Sequence, residues 1–532
     1  MQEENKNVRT FMEGAIILLI ANALVKVIGA VFKIPLTYVL GEEGMGYFSS
    51  AYQMYTWMFI LATAGIPVAI SRMVSESLAK KRYYEISRIL SISKRLLLAI
   101  GIFGFLLLFF GADFFAGVVL KNAKAAAGIR AIAPAMLFVS LMSAYRGYFQ
   151  GHQDMVPTAY SEVTEALGKL VIGFGAAFLL AKKGMEIASA GAVFGVSCGA
   201  FFGFLILAII YASKQKKAGY ALNNREETDS DKSILKKLVR IAIPITFGAS
   251  VFSLTSLIDM AMIMRRLQSG GFSYETANKL WGSYSGYAFP MFNLPPTLIN
   301  AITISIVPAI SAAFAVNNHK EAENTTCKSI KVTVLFALPC SVGMSVLAKQ
   351  ILDVVYNNTN ATGTLSILSC AIVLVSLVLV TNAILQATGN ELVPVINMII
   401  GGSAKILINY FLVANPNIGI QGAPIGTTMC YAIILLLNII VLKRKLNIKF
   451  PVPELVLKPL TAAALMGISV YFVRGFFDNI NKYAALGIPI VVGAFVYILA
   501  IVLMNGINEG DLELLPKSDK LIPLCKKLKI IK

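Results

Sequence analysis

Charged and metal-binding side chains are scarce in this chain. Of its 532 residues only 14% are charged, while 57% are hydrophobic and the mean hydropathy is +0.72. There are two histidines and six cysteines, and no Cys-x-x-Cys motif brings two cysteines together. Zinc, haem and disulfide frameworks need such clusters, so the sequence predicts none of them. A soluble protein of this length would need a more polar surface, so the composition predicts an all-α polytopic membrane protein.

Motifs that carry out covalent chemistry are missing as well. The chain has neither a Ser-His-Asp constellation nor a GxxxxGK[ST] phosphate loop. A membrane glycosyltransferase or polymerase, one alternative to transport, would need acidic or histidine residues in sizeable outer loops, and the predicted loops are short. We therefore expect a protein that is not an enzyme and that binds no metal or organic cofactor. Its energy would come from a coupling ion, the membrane potential or substrate turnover.

The apolar runs divide the chain into fourteen predicted spans, each of about 20 residues or slightly more. They cover residues 14–40, 47–71, 90–111, 130–150, 158–181, 187–211, 239–262, 281–312, 330–349, 364–387, 391–413, 419–442, 456–474 and 484–505. The polar start MQEENKNVRT is followed by no small-residue cleavage site, so we expect the first run to be a retained helix. We expect Pro35, Pro67 and Pro308 to kink helices that bend during transport.

Lysine and arginine are distributed unevenly between alternate loops. With the N-terminus inside, about 32 of the 47 basic residues fall in inner loops and tails, and about 11 fall in outer loops. This bias predicts that both termini are cytoplasmic. The net charge of +19 is then a topology signal and a contact with anionic membrane lipids, and nucleic acid is not expected as a partner.

Two landmarks recur in the same order along the chain. Pro67 in GIPVAIS and Pro308 in SIVPAIS lie 241 residues apart, and Lys169 and Lys405, which follow DMVP and ELVP, lie 236 apart. The recurrence predicts two six-helix lobes related by a pseudo-two-fold axis along the membrane normal. The predicted organisation is an N-terminal lobe at 1–212, a cytoplasmic linker at 213–238, a C-terminal lobe at 239–442, an extra helix pair at 443–505 and a basic cytoplasmic tail at 506–532.

One stripe of the first span carries two lysines. Asn22, Lys26, Gly29 and Lys33 follow a 4-3-4 spacing, so they share one helical face. A charge near the middle of a membrane costs roughly 2.5–3.5 kcal/mol on insertion scales, so it normally faces protein or water. We predict that this stripe lines a polar cavity that receives an anion. The alternative is that Lys26 or Lys33 runs its stem out to the headgroups.

Span five repeats this spacing with Thr158, Glu162, Glu165 and Lys169. Glu165 and Lys169 form an i,i+4 pair in the favourable order, so we expect them to neutralise each other in part. The face is interpreted either as a cavity wall or as a polar clamp between helices. Lys405 lies at the corresponding place in span eleven.

Four further candidates lie in spans seven and eight. Asp259 and Arg266 belong to span seven, where Arg266 lies either at the outer headgroup boundary or in the cavity. Asn293 and Asn300 share a stripe of span eight and are expected to bind sugar or peptide. Lysine and arginine clusters suit phosphate. The predicted cationic cavity therefore consists of Lys26, Lys33, Lys169, Lys405 and Arg266.

Four segments resemble one family closely. They are GEEGMGYF (41–48), GIPVAISRMVSE (65–76), AYRGYFQGHQDMVPTAYSEV (144–163) and FNLPPTLINAITISIVPAIS (292–311). They are similar to the polysaccharide-transport and stage V sporulation protein B group, which includes the MurJ-type lipid II flippases of Gram-positive bacteria. That group belongs to the multidrug/oligosaccharidyl-lipid/polysaccharide exporter superfamily, and the resemblance extends over essentially the whole chain.

The resemblance implies fourteen helices, alternating access and a central cationic cavity for a lipid-linked pyrophosphate sugar. It implies a flippase that moves an undecaprenyl-pyrophosphate-linked cell-wall precursor, lipid II, across the bacterial plasma membrane for peptidoglycan synthesis, with cell-wall synthesis enzymes as partners. The extra helix pair would shape a groove for the polyprenyl tail. Lys26 falls where better-known flippases have an arginine, so the charge is kept but bidentate phosphate contact is not.

Two other transport functions fit the same features. One is a flippase for another lipid-linked polysaccharide, such as that of the spore cortex or a capsule. The other is a cation-coupled multidrug exporter of the same superfamily. An exporter needs acidic residues that face the cavity, and the candidates are Asp259, Glu162 and Glu165.

Overall fold

The computed structural model describes residues 2–218, 230–299, 310–311, 318–390, 392–446, 453–477 and 481–506, and within these ranges it contains helices and no strands. The first group of α-helices is α1 (Gln2–Thr63), α2 (Ile66–Ala79), α3 (Tyr83–Phe110), α4 (Ala112–Phe114), α5 (Ala126–Ile132), α6 (Ala135–Gly151), α7 (Val156–Gly168), α8 (Phe174–Leu180) and α9 (Met185–Ala218). The second is α10 (Asp231–Ser269), α11 (Tyr274–Ser283), α12 (289–299), α13 (His319–Val346), α14 (Ala348–Tyr356), α15 (Thr362–Ala387), α16 (Leu392–Leu412), α17 (Gly422–Leu446), α18 (Lys458–Phe477) and α19 (Lys482–Leu503). The chain is therefore an all-α polytopic membrane protein, as its composition predicts.

The apolar helices agree with the predicted spans. In the described part of the chain, ten helices are long and apolar enough to cross a membrane, and an eleventh span results if α5 and α6, bent by 41°, count as one. The bend falls at Pro134. The helical run Ile20–Ala79 begins within the first predicted span, 14–40, and covers the rest of it together with the second, 47–71. The predicted spans 239–262 and 281–312 include residues or side chains outside the described set.

The break in α1 falls at a glycine. Gly41 has φ 58° and ψ −168°, whereas Pro35 lies within the continuous helix before it. Only glycine adopts that backbone conformation without strain, because it has no Cβ. Pro67 lies in the first turn of α2, where a proline costs no hydrogen bond. Pro308 lies outside the described residues.

The helix bounds repeat along the chain at a constant interval. Helices α3 and α13 have 28 residues each and begin 236 residues apart (319 minus 83). The bent pair α5–α6 and the helix α15 end 236 apart, and α7 and α16 begin 236 apart. Lys121 and Asn357, also 236 apart, both adopt positive φ, at 52° and 51°. The predicted duplication is therefore present in the backbone.

One hydrogen bond recurs at the same interval. The Ser75 hydroxyl donates to the carbonyl of Gly151 at 2.7 Å, and the Ser311 hydroxyl donates to the carbonyl of Ala387 at 3.2 Å. Ser311 therefore corresponds to Ser75. The likeness of the two Ala-Ile-Ser segments pairs Ser311 with Ser71 instead, so that part of the sequence alignment is displaced by one helical turn.

The chain divides by its contacts into two units. The first comprises Met1–Arg265 and Ser273–Gly282, and the second comprises Arg266–Phe272 and Ser283–Lys532. The core of the first unit includes Ile70, Ile89 and Leu238. The core of the second includes Ile299, Leu385 and Leu442. The predicted lobe boundaries at 212 and 239 flank a linker whose residues 219–229 lie outside the described ranges, and they stay a prediction.

Candidate substrate-binding site

Lys169 begins a π-helical turn in the first unit. This turn covers Lys169–Gly173 and interrupts the helix between α7 and α8. Helix α9 packs closely against it, because a Cβ on Gly195 would collide with the backbone of Gly173. Wide turns of this kind are rare and are frequent at functional sites. Here the turn fixes where the Lys169 side chain leaves the helix.

Two aromatic rings of α1 hold the Lys169 ammonium. Its Nζ lies 4.7 Å from the centre of the Tyr52 ring and 5.1 Å from that of Phe32. Lys169 has no ion pair among the described residues. Ring faces attract a cation by about 0.5–2 kcal/mol without neutralising its charge. The ammonium is thus positioned and remains able to pair with an anion.

Lys33 is the second cation at this place. It is half-buried on α1, and its charge interacts with that of Lys169. Lys26 and Asn22, two and three turns earlier on the same stripe, are exposed. The structure therefore brings together one predicted lysine from span one and one from span five, while their roles stay predictions.

The rings that hold Lys169 belong to an aromatic ladder on α1. Ring centres are 6.2 Å apart for Phe32 and Phe48, 5.8 Å for Phe48 and Tyr52, 6.1 Å for Tyr52 and Tyr55, and 5.7 Å for Tyr55 and Phe59. This ladder was not predicted from the sequence. The 4-3-4 spacing of residues 48, 52, 55 and 59 is the same signal that identified the lysine stripe.

Glu165 pairs with Arg146, and the expected pairing with Lys169 is wrong. Arg146 Nη2 donates to Glu165 Oε2 at 3.0 Å, and its Nε donates to the Ser161 hydroxyl at 3.0 Å. Both side chains are largely enclosed, at 16% and 25% exposure. Arg146 turns towards α7 because a carboxylate and a hydroxyl satisfy its guanidinium there. Lys169 is consequently left with its charge uncompensated by Glu165.

Two polar atoms beside this ion pair lack partners. The Oε2 atom of Glu162 and the hydroxyl of Tyr55 are buried and make no hydrogen bond. Tyr55 is only 3% exposed, and it interacts electrostatically with Glu165 and Arg146, as Glu162 also does. The Thr158 hydroxyl on the same face of α7 is also buried without a hydrogen bond. An unmet hydrogen-bonding group inside a helix bundle is costly, so this cluster has the chemistry to take a polar ligand or a proton.

The corresponding face of the second unit is neutral. Asn397 donates to Asn438 at 2.8 Å, and Asn438 donates to Asn382 at 2.8 Å and to Thr381 at 2.9 Å. At the 236-residue interval, Asn382 replaces Arg146 and Asn397 replaces Ser161. Asn397 is buried and Gly401 packs against α17, so this face of α16 forms a contact between helices. Lys405 is half-buried beyond it on α16.

The remaining predicted site residues are dispersed over both units. Asp259 is 6% exposed on α10 of the first unit. Arg266 of the second unit stacks over the Tyr410 ring at 3.9 Å and donates to the Tyr410 carbonyl at 2.9 Å. The Asn293 amide donates to the Phe289 carbonyl of its own helix at 3.0 Å. Asn300 lies outside the described residues.

Comparison with known proteins assigns the family. Residues 11–314, more than half of the chain, match the family described as polysaccharide biosynthesis protein, and residues 283–411 match the family described as MatE. The chain belongs to the polysaccharide biosynthesis protein family. This confirms the resemblance to polysaccharide transporters and MurJ-type flippases of the exporter superfamily.

Three relatives from Bacillus subtilis (strain 168) are similar over most of their length. The uncharacterized membrane protein YabM is 30% identical over 436 residues, covering 81% of this chain and 80% of YabM. The lipid II flippase MurJ is 28% identical over 531 residues, covering 94% and 96%. Stage V sporulation protein B is 23% identical over 523 residues, covering 97% and 99%.

Solved structures share the fold at low sequence identity. A lipid II flippase MurJ in an inward closed conformation matches with a TM-score of 0.66 and 16% identity, over 92% of this chain and 98% of that one. An inward-facing multidrug resistance transporter of the MATE family matches with a TM-score of 0.65 and 15% identity, over 81% and 98%. At these identities the likeness describes the fold alone.

Proposed function

We propose that this protein is a flippase that moves an undecaprenyl-pyrophosphate-linked cell-wall precursor, lipid II, from the inner to the outer leaflet by alternating access. The observation that carries the proposal is the Lys169 ammonium, which lies over the rings of Tyr52 and Phe32, the residue next to Lys33 in the chain, and makes no ion pair among the described residues. Two like charges in a helix bundle repel each other, and an anion between them turns that repulsion into attraction. A pyrophosphate has the charge and the size to meet both.

The aromatic ladder fits such a ligand. Tyr52 and Phe32 orient the Lys169 ammonium in advance, which reduces the ordering that the ligand must impose. Lysine binds phosphate as a point charge and sets no fixed geometry. A site of this kind holds the pyrophosphate loosely enough to release it on the other side. Asn293 and Asn300 remain the proposed contacts to sugar or peptide.

The relatives favour a lipid-linked saccharide as the cargo. One is named a lipid II flippase and another a stage V sporulation protein, and both align over more than nine-tenths of this chain. We infer a location in the bacterial plasma membrane with both termini in the cytoplasm, and cell-wall synthesis enzymes as partners. A lipid-linked polysaccharide of the spore cortex or a capsule has the same anchor chemistry and is the alternative cargo.

The test is complementation of a Gram-positive strain depleted of its own lipid II flippases, with lipid II accessibility in the outer leaflet as the readout. We expect the wild type to rescue growth, and Lys33→Ala and Lys169→Ala to fail while they reach the membrane at normal level. Lys183→Ala is the matched control, because Lys183 is exposed in a turn between helices. Normal lipid II exposure with Lys169→Ala would contradict the proposed site. No rescue by a well-expressed wild type would contradict lipid II as the cargo.

One observation favours a cation-coupled multidrug exporter as the second candidate. Glu162 has a buried carboxylate oxygen without a hydrogen bond, and exporters use intramembrane carboxyl groups to carry protons or cations. In that case Glu162→Gln or Asp259→Asn would abolish drug resistance in a sensitive strain. A resistance phenotype that depends on these acids, without any effect on lipid II, would replace the flippase proposal.

A further inference from the structure

Lys94 lies between tyrosine rings at one end of the first unit. Its Nζ is 4.3 Å from the centre of the Tyr145 ring and 4.6 Å from that of Tyr211. The two rings are 5.3 Å apart, and Tyr148 lies 5.3 Å from Tyr211. Helices α3, α6 and α9 each contribute to this arrangement. We call Lys94, Tyr145, Tyr148 and Tyr211 the Lys94 cage.

The charge in the cage has no carboxylate partner among the described residues. Two other basic side chains of helices α3 and α9 do have one, since Arg88 pairs with Asp231 and Lys214 pairs with Asp154. Lys94 is half-buried, so water screens it only in part. Cation–π contacts hold an ammonium in place but leave its full charge. The cage therefore presents an oriented positive charge that lacks an anion.

The cage lies within two helical turns of the end of α6. Helix α6 ends at Gly151. The centre of the His152 ring lies 4.3 Å from that of Tyr148, at a tilt of 44°, and the charged residue Asp154 follows two residues later. Tyrosines in membrane proteins concentrate at this boundary between apolar and aqueous layers. The bias of basic residues assigns this end of the bundle to the cytoplasmic side. Phosphate groups of the lipids in that leaflet lie at the same level.

The second unit shows that the fold does not need this cation. At the 236-residue interval, Lys94 corresponds to Ile330, and Tyr148 corresponds to Ile384. Both isoleucines belong to the hydrophobic core of the second unit. A buried isoleucine is stabilising without a partner, whereas a half-buried lysine is not. The lysine therefore serves something other than helix packing.

We propose that the Lys94 cage binds the headgroup phosphate of an anionic glycerophospholipid of the cytoplasmic leaflet. The ammonium pairs with a phosphate oxygen, and the tyrosine ring faces hold the ammonium in position. Basic sites between transmembrane helices bind anionic headgroups in this way. A lipid bound to the cage would contact α3, α6 and α9 and stabilise their packing. This site is separate from the Lys33–Lys169 site and does not depend on the identity of the cargo.

The test measures lipids that remain bound to the full-length protein in detergent, by native mass spectrometry with added phosphatidylglycerol or phosphatidylcholine. We expect phosphatidylglycerol to bind preferentially, and Lys94→Ala to weaken it about five-fold, as one basic residue near a membrane surface contributes. Arg95→Ala is the matched control, because Arg95 is exposed and adjacent but outside the cage. Equal losses from both variants would mean a diffuse charge effect and would overturn the site.

Further variants distinguish loss of the lipid site from misfolding, and a competitor distinguishes a lipid from the transported substrate. Lys94→Ile introduces the residue of the second unit, so it should fold normally and still lose the lipid. Tyr211→Phe keeps the ring face and should retain most of the binding, whereas Tyr211→Leu should not. Inorganic pyrophosphate is added as a competitor. Displacement of phosphatidylglycerol by pyrophosphate at low concentration would assign the cage to the transported substrate and would contradict a lipid site.

Discussion

At the scale of single residues, the protein handles its intramembrane cations in two ways. Arg146 is neutralised by Glu165, whereas Lys169 is held by ring faces that leave its charge available. The difference follows from chemistry, because a planar guanidinium accepts a fixed hydrogen-bonded partner and an ammonium tolerates a ring on several sides. Sequence spacing alone predicted that Glu165 would pair along its own helix. It could not reveal that a partner on α6 competes for the same carboxylate.

Breaking the Arg146–Glu165 pair should destabilise the protein. Arg146→Ala leaves the Glu165 carboxylate beside Glu162 without its donor, at a cost of roughly 1–3 kcal/mol in the free energy of unfolding. The double variant Arg146→Met/Glu165→Leu removes both charges and should regain most of that loss. Thermal unfolding in detergent measures both. An unchanged melting temperature for Arg146→Ala would show that the pair contributes nothing to stability.

His152 should make stability depend on pH. Burial lowers its pKa from the usual 6.5, against the opposing effects of the hydrogen bond to the Tyr148 carbonyl and of Asp154. The unfolded chain therefore takes up the proton at a higher pH than the folded protein does. The stabilising contribution is present above pH 6.5 and is lost as the pH falls through the lower folded pKa.

The check is the difference in melting temperature between wild type and His152→Phe, which keeps a ring against Tyr148. Between about pH 7 and pH 5 the wild type should lose stability relative to the variant. If the difference in stability between wild type and variant were the same at both pH values, His152 would have the same pKa in the folded and the unfolded chain.

At the scale of elements, the existence of the helices could be predicted but their breaks could not. Twenty-residue apolar runs predict spans because a helix of that length and hydropathy matches the thickness of the bilayer. The break in α1 follows from the backbone conformation of Gly41, and the sequence contains many glycines that lie in regular helix. The likeness of the two Ala-Ile-Ser segments gave a pairing that is wrong by one helical turn, because small and apolar residues recur every four positions in packed helices. The hydrogen bonds of Ser75 and Ser311 set the register of this segment, in agreement with the interval between the helix bounds.

Gly41 should resist substitution for conformational reasons alone. A Cβ at Gly41 would meet no atom within 4 Å, yet its φ of +58° disfavours any other residue. We expect Gly41→Ala to lower the free energy of unfolding by about 1–3 kcal/mol or to straighten α1 and impair transport. Gly29→Ala is the control, because Gly29 also has no atom within 4 Å of an added Cβ but lies in regular helix. Gly29→Ala should leave the free energy of unfolding unchanged or raise it. Equal effects of the two variants would contradict a role for the break.

At the scale of the whole molecule, the two copies of one helical unit carry different polar side chains at corresponding positions. Positions that hold Arg146 and Ser161 in the first half hold Asn382 and Asn397 in the second, where a closed amide network satisfies them. The duplication was visible in the sequence because backbone geometry preserves spacing. The difference in chemistry between the two halves was not visible in the sequence, because it depends on which side chains contact each other across helices. Lys169 and Lys405 look equivalent in sequence, and only their surroundings distinguish them.

That divergence predicts unequal roles for the two lysines. Lys169 begins a π-helical turn and rests on two aromatic rings, whereas Lys405 lies within the uninterrupted helix α16 next to a neutral network. An anion gains most where the opposing charge is already oriented and uncompensated. We expect Lys169→Asn to reduce lipid II exposure in the complementation strain at least ten-fold, about the effect of losing one oriented charge contact. Lys405→Asn should reduce it less than about three-fold. Both variants remove one charge at corresponding places of the repeat, so each controls for the other. Equal losses would mean that the substrate contacts both halves alike, and a larger loss for Lys405→Asn would move the phosphate site to the second unit.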